Sequence, residues 1–490
     1  MEMSEIHLIA QTIIEWGALL FAFLLGLGIL AVGVMYVVDK TQTAQTIRRN
    51  YPVVGRFRYL FEHLGEFFRQ YFFAMDREEL PFNRAERSWV YRAAKQVDTT
   101  VAFGSTRRLD QEGDVIFLNS AFPTLDEDAV APAAITIGEG YCSHPYTTSA
   151  ILSISAMSYG AISRPAVLAL AHGAREAGIW MNTGEGGLSP YHLEGGCDIV
   201  FQIGTAKYGV RDEHGGLDEA KLKAIAAHDA VRMFEIKMSQ GAKPGKGGIL
   251  PGAKVNKEIA GIRQIQVGQD SISPNGHTDV RSTGDLLDMI ERVRSVTGKP
   301  TGFKAVVGQV DFFHELFREI HARGIGSAPD FITIDSADGG TGAAPQPLID
   351  YMGMPLNESL PLVIDLLHEY GLRERIKVIA SGKLISPGKV AWHWVLAQTF
   401  AYPRAASCLR WVVFKRCNAT KIPALQVLRR TTKSYSKGWC RRRSTSGWLP
   451  MHSAWCMEWA SLPTPVVFLS PGACSGGICG SSNVATGHEP

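Results

Sequence analysis

From Ile236 to Lys254 the chain reads IKMSQGAKPGKGGILPGAK, a strand that runs into a glycine-rich loop holding Lys237, Gln240, Lys243, Lys246 and Lys254. Glycine lets backbone approach a ligand closely, and ammonium groups neutralise phosphate or carboxylate, so this set of residues predicts an anion site. A solvated basic loop accounts for the same composition when the segment is taken alone.

The elements that would position such a site recur along the middle of the chain. Ile151–Met157, Ile179–Thr183, Asp198–Gly204, Met233–Met238, Gly302–Val307, Phe331–Ser336 and Lys377–Gly382 are short apolar runs, each followed by a loop rich in glycine. Between them Pro165–Gly178, Thr283–Thr297, Asp311–Arg323 and Leu360–Tyr370 carry apolar residues at helical spacing. Strands alternating with amphipathic helices predict an α/β protein with a parallel sheet covered on both faces. Seven strands whose chemistry-bearing loops all follow the strand point to a (β/α)8 TIM barrel; a doubly wound sheet is the alternative.

Six segments, SAMSYGAIS, NTGEGG, KMSQGAKPGKGG, SPNGHTDVRSTGDL, DSADGGTGAAP and ASGKLISPGKVAW, stand in that order between Arg84 and Trp392. Together they resemble the FMN-binding synthase domain of glutamate synthase, in the form found in single-domain, membrane-anchored relatives. The resemblance implies an FMN-bearing barrel that reduces 2-iminoglutarate, formed from 2-oxoglutarate and ammonia, to glutamate. Composition and spacing alone stop at a phosphate-binding barrel.

Carried over residue by residue, the resemblance puts Ala156, Met157 and Ser158 against the flavin ring, although Met157 also suits a barrel core. It puts Gln202 and Lys304 on barrel strands, where a lysine near the flavin N1 and C2 oxygen stabilises the anionic reduced ring. Gly339, Gly340, Thr341 and Gly342, with Gly382 and Lys383, follow the sixth and seventh strands, the usual neighbourhood of a barrel phosphate site. Glu185, Lys237, Gln240 and Lys243 match positions around the keto acid and form the candidate catalytic set, two lysines suiting two carboxylates. Asp335 and Asp338 are read as orienting their loop through local backbone hydrogen bonds. His277 either reaches substrate or caps the helix that starts near Ser282.

Residues 1–40 read as a transmembrane anchor, because Gly17–Val38 is uncharged and long enough to cross a hydrocarbon core. Glu2, Glu5 and Glu15 precede it while Lys40, Arg48 and Arg49 follow, which places the barrel on the cytoplasmic side of a single-pass protein. Residues 41–83 form a juxtamembrane segment with arginines among aromatic residues; it lies along the membrane surface or packs on the barrel, and residues 84–392 make the barrel. A formal net charge of +3 and the lack of a binding motif give no support to nucleic-acid binding.

Residues 393–490 read as an aberrant basic tail. From Ala401 to Pro490 twelve lysines or arginines face only Glu458 and Glu489, and six of the eight cysteines fall there. Such composition suits neither a barrel element nor a linker, which leaves a basic, cysteine-bearing tail or translation in a shifted frame. Reading the third base of each codon with the first two of the next, with synonymous codons free, can spell from Trp392 onward a strand ADFCVSARG and a C-x5-C-x4-C motif. The resemblance gives that cysteine spacing to a [3Fe-4S] cluster, whereas Cys408, Cys417 and Cys440 as written are spaced otherwise, so no metal ligand is assigned. Without its eighth strand the barrel is expected to stay open and the flavin site incomplete, with activity impaired.

The expected reaction therefore takes 2-oxoglutarate with ammonia, free or derived from glutamine, since no amidotransferase domain is read ahead of the barrel. Electrons are expected from a carrier protein or subunit, as no nicotinamide fingerprint is present. An FMN oxidoreductase of the 2-hydroxy-acid type and a non-catalytic membrane-tethered barrel are the alternatives.

Overall fold

The computed structural model describes residues 3–73, 75–95, 100, 102–110, 116–118, 120–123, 125–130, 132–238, 247–339, 344–397 and 400–403. It divides into two units, Met1–Ala85 and Glu86–Pro490. In the first, helix α1 (Met3–Thr41) is followed by α2 (Thr46–Asn50) and α3 (Gly55–Phe68), and α4 (Arg84–Ala94) spans the boundary. Gln11–Thr41 is long and apolar enough to cross a membrane and none of its apolar window is buried.

The second unit is built on one parallel sheet. After a small antiparallel pair, β1 (Ile135–Ile137) and β2 (Tyr146–Thr148), come helix α5 (Arg164–Ala177), strand β3 (Met181–Asn182), α6 (Pro190–Gly195), β4 (Ile199–Ile203), α7 (Glu219–Ala226) and β5 (Val231–Lys237). An insertion follows, with the antiparallel strands β6 (Ile249–Leu250) and β7 (Ser271–Ile272) flanking α8 (Lys257–Arg263). Then come α9 (Thr283–Thr297), β8 (Thr301–Val306), α10 (Asp311–Arg323), β9 (Phe331–Asp335), α11 (Gln346–Tyr351), α12 (Leu356–Glu369), β10 (Lys377–Gly382), α13 (Pro387–Ala397) and β11 (Phe400–Pro403). The strand order is β11-β10-β9-β8-β5-β4-β3, every pair parallel.

The sheet curls as a barrel does. The segment expected as the first strand, Ile151–Met157, keeps a parallel bridge from Ile154 to Met181 at one edge. Ser155, one residue on, reaches Ser381 of β10 at 3.5 Å between hydroxyls, so residues six strands apart in the order meet inside. That first segment has a paired neighbour only on the β3 side among the described residues, and with half of its ladder it registers as a bridge rather than a strand.

The strand–helix rhythm runs past Trp392. Helix α13 continues to Ala397, and Phe400–Pro403 pairs in register with Ile379–Gly382 at the place of an eighth strand. Phe400 and Tyr402 are residue types that favour a pleated edge, and Pro403 lacks the N–H that would extend the ladder. The edge between this strand and Ile151–Met157 carries no pairing among the described residues. The rest of the tail, with Cys408, Cys417 and Cys440, lies outside the described residues.

Local signals explain the helices. Ser282 accepts from Asp285 N–H at 3.1 Å and so caps α9, which excludes the capping role for His277. Asn256 caps α8 in the same way, and Asp218 caps α7. Helix α12 begins at Leu356, four residues before the sequence reading, with Pro361 tolerated inside it.

Candidate functional site

Side chains alternate across a strand, and in this sheet the inward set is polar towards the strands' C-terminal ends. Register puts Gln202 opposite Glu235, Lys237 opposite Lys304, Lys304 opposite Thr333, and Asp335 opposite Ser381. Outward positions such as Phe201, Phe234, Phe303 and Ile334 are fully buried under helices, so the barrel's apolar packing lies outside the sheet.

Glu235 is one of the wholly buried inward groups. Its carboxyl is fully buried and accepts from Asn182 Nδ2 at 2.8 Å, Gln202 Nε2 at 2.6 Å and Thr333 Oγ1 at 2.6 Å, which ties four strands together. Two residues on, Lys237 Nζ lies 3.4 Å from Glu185 Oε1, both side chains 18% exposed. Glu185 folds over the end of β4 because Gly204 leaves room: a Cβ there would stand 2.5 Å from the Glu185 Cβ. Across from Lys237, the Lys304 ammonium is buried and bonds Asp335 Oδ2 at 3.1 Å and Ser381 Oγ at 3.2 Å. Ser381 in turn donates to Asp335 Oδ1 at 2.8 Å.

The expected orientation of Asp335 by local backbone bonds is thus corrected: its carboxylate faces the barrel interior as the partner of Lys304. Asp338 pairs with Lys383 at 3.1 Å and accepts from the Ser336 hydroxyl. Burial works to raise its pKa, yet Ser336 and Lys383 hold the carboxyl below the ordinary carboxylate value.

Two glycine positions shape the floor and the corner. Gly184 has φ +68°, and a Cβ on it would sit 2.5 Å from Ser158 N and 2.8 Å from Met157 C, so this loop presses on the buried Ala156–Met157 end of the first segment. At the ends of β9 and β10 a Cβ on Gly382 would stand 2.8 Å from Ser336 Cβ, and one on Gly339 would stand 2.9 Å from Ser336 O. The corner therefore presents bare backbone beside Lys383, a shape suited to a phosphate group.

His277 sits at the rim, 6% exposed, with Nε2 2.9 Å from Lys237 O. Burial above all pushes its pKa below the ordinary value, so the ring is neutral and Nε2–H donates to that carbonyl. Beside it the fully buried Lys207 meets Asp279 at 2.8 Å. Burial raises the pKa of Asp279, but Lys207 outweighs it and holds the carboxyl low. In the insertion Arg263 is 5% exposed, donates to Tyr159 O at 3.2 Å and Ser271 Oγ at 3.0 Å, and lies over the Tyr208 ring at 5.1 Å. Helix α8 thereby rests on the loops after the first three strands.

The structure thus brings Ala156, Met157, Ser158, Glu185, Gln202, Lys237, Lys304, Gly339, Gly382 and Lys383 to the C-terminal end of the sheet. Gln240, Lys243, Gly340, Thr341 and Gly342 lie outside the described residues. Sequence reading missed Asn182, Glu235, Thr333, Ser381, Lys207 and Arg263. Strand parity offered a signal for Glu235, two residues before Lys237 on the same face; Arg263, on a short helix after an irregular loop, offered none.

The family model for a conserved region in glutamate synthase matches residues 98–408. The chain is 38% identical over 453 residues to the glutamate synthase large subunit-like protein YerD of Bacillus subtilis, covering 83% of this chain and 85% of that protein. It is 38% identical over 231 residues to the archaeal-type glutamate synthase (NADPH) of Thermotoga maritima, spanning 46% of this chain and only 42% of that relative. Among solved structures, a flavocytochrome b2 mutant with pyruvate bound aligns at TM-score 0.43 and 12% identity, over 83% of this chain and 90% of that one. Mandelate oxidase with (S)-2-phenylpropionate aligns at TM-score 0.39 and 15% identity, over 78% and 98%.

Proposed function

The chain belongs to the glutamate synthase family of oxidoreductases, and from that premise we propose that its barrel binds FMN and forms glutamate by reducing 2-iminoglutarate made from 2-oxoglutarate and ammonia. The observation that carries the reading is the pair of facing ammonium groups, Lys237 with Glu185 and Lys304 with Asp335 and Ser381, at the open end of a polar barrel. One serves an anionic substrate and the other an electron-rich ring.

The residues present fit FMN. The Gly184 loop closes on the Met157–Ser158 peptide as a flat floor, and the bare Gly339–Gly382 corner with Lys383 suits the phosphate. Lys304 and Gln202 would hold the ring, Gln202 being turned by the bond it donates to Glu235. FMN, when bound, supplies the hydride. The chain's own residues do the rest: Lys237 draws a carboxylate of the keto acid, Glu185 orients that ammonium, and His277 anchors the Lys237 backbone through its carbonyl.

Ammonia is free or delivered from glutamine by a partner, and electrons come from a carrier protein or subunit. A [3Fe-4S] cluster belongs to the family-like form, and the cysteines as written do not match its motif. The serine and arginine of the shifted-frame strand ADFCVSARG would suit the phosphate pocket; the segment Phe400–Pro403 as written carries no cation, which impairs turnover. Helix α1 anchors the protein in a membrane, with the barrel on the cytoplasmic side. Purification in detergent followed by a visible absorption spectrum tests the reading: stoichiometric flavin, reoxidised after reduction only when 2-oxoglutarate and ammonium are both added, is the expected result. A colourless chain that also fails to bind added FMN would refute it.

A further inference from the structure

The unit Met1–Ala85 contains a charge cluster around one buried carboxylate that the enzyme reading does not use. Asp39, two residues before the end of α1, has a fully buried side chain in a unit whose other side chains are mostly exposed. Its carboxylate accepts from Arg48 Nε at 2.9 Å and Nη2 at 2.5 Å, from Arg56 Nε and Nη2 at 2.8 Å each, and from Val53 N at 3.0 Å. Gln42 closes the same turn on Asp39 O and Gln45 O. Gly55 then starts α3 against α2, where a Cβ would lie 3.0 Å from Ile47 O. Five donors on one carboxylate fix the direction in which α3 leaves the end of α1.

Helix α3 is two-sided. Phe57, Leu60, Phe61, Leu64, Phe67 and Phe68 recur at three-and-four spacing on one face, while Arg58, Glu62, Glu66 and Arg69 occupy the other. Phe72 and Phe73 extend the aromatic stripe past the helix end, Phe72 packing on Phe68 with ring centroids 5.6 Å apart. Yet Phe61, Phe72 and Phe73 are 66, 67 and 74% exposed. Such a stripe in water is costly, and it is joined through the clamp to a span, Gln11–Thr41, that is itself apolar and uncovered. From residue 39 to 69 six basic side chains face three acidic ones, which suits anionic headgroups.

We propose that α3 and the turn after it form an interfacial helix, its aromatic stripe seated in the headgroup–acyl boundary of the bilayer that α1 enters, with Asp39, Arg48 and Arg56 as the clamp that holds it there. The bilayer follows from continuity: a helix pinned to the end of α1 meets the medium that surrounds that end. This inference rests on the reading of α1 as a membrane anchor.

The test uses the full chain in vesicles of neutral and anionic phospholipid, with the photo-crosslinker p-benzoylphenylalanine placed in turn at Phe23, Phe61 and Glu62, and adducts identified by mass. Lipid adducts at Phe23 and Phe61 and not at Glu62 are expected. Lipid at Phe23 combined with a protein crosslink or no adduct at Phe61 overturns this inference and leaves the anchor reading standing; no lipid at Phe23 overturns both. The Asp39→Ala variant should lower the lipid yield at Phe61 several-fold with Phe23 unchanged, and Arg56→Gln, which leaves Arg48 and Val53 on the carboxylate, should fall between. An unchanged yield at Phe61 in Asp39→Ala would overturn the clamp.

Discussion

Glu235 offers the sharpest test of the barrel interior. Its carboxyl has no solvent exposure and receives three side-chain donors, two on Oε1 from Asn182 and Gln202 and one on Oε2 from Thr333. In Glu235→Ala those donors lose their acceptor; each buried donor left unmade costs about 1–3 kcal/mol, so the sum is at least about 3 kcal/mol, with the void adding to it. Glu235→Gln behaves differently. The amide oxygen can still take Asn182 and Gln202, its NH2 can turn to Thr333, and a threonine hydroxyl accepts as readily as it donates. Only the charge assistance is lost, about 1–2 kcal/mol. Guanidinium unfolding of the detergent-purified chain, followed by tryptophan fluorescence, separates the two. A cost below about 1 kcal/mol for Glu235→Ala would contradict the estimate of three orphaned donors. If Glu235→Gln were as damaging as Glu235→Ala, the negative charge beneath Lys237 and Lys304, rather than the three bonds, would be what the barrel needs.

Three further outcomes are expected. Gly184→Ala puts a Cβ 2.5 Å from Ser158 N at φ +68°, against backbone that cannot swing aside, and should cost about 2–4 kcal/mol in the same unfolding assay; an unchanged midpoint would mean that the loop is not held against the first segment. His192, wholly buried, has its pKa pushed down by burial to about 4 from 6.5, so the unfolded chain takes the proton first. Its contribution is complete above pH 6.5 and is lost as pH falls towards 4, on the order of 3 kcal/mol; His192→Gln should flatten that acid limb of the unfolding midpoint, and a limb of equal depth would place its origin elsewhere. Lys237→Gln should weaken 2-oxoglutarate binding at least about tenfold, or about 1.4 kcal/mol, read as the ligand-induced change in flavin absorption, while FMN content holds; equal affinity would remove Lys237 from the substrate site.

What the sequence made legible is what local physics writes into consecutive residues. Thr283–Thr297 and Asp311–Arg323 match their helices because Ser282, Gly298 and an unbroken apolar stripe are all local signals. Lys377–Gly382 matches its strand because a buried parallel strand reads as a continuous run. The glycines after strands marked the rim, since close approach at Gly184 and Gly382 leaves no other residue type open. Illegible were the partners. Glu235 holds Asn182, Gln202 and Thr333, which are 53, 33 and 98 residues away, and Asp335 meets Ser381 46 residues on. No spacing rule spans such distances, so Asp335 read as a loop residue and Glu235 drew no notice. The short strand Phe400–Pro403 escaped for the opposite reason: it lies inside the stretch read as an aberrant tail and is too short to show a period, while the edge of β10 pairs with it.

A single register would have supplied the missing step. Once Lys237 is set opposite Lys304, parity places Glu235 on the same inward face as Lys237, the pairing of Lys304 with Thr333 carries Asp335 inward two residues later, and Asp335 opposite Ser381 completes the ring. The buried lysine then has its carboxylate and hydroxyl by construction. An ammonium inside a barrel is tolerated only with such partners, so the polar ring is a condition for Lys304 to be there at all. The charge balance among the described residues follows from that condition: Lys304 is matched by Asp335 and Lys237 by Glu185, so a carboxylate drawn to Lys237, as proposed, must compete with Glu185 for that ammonium.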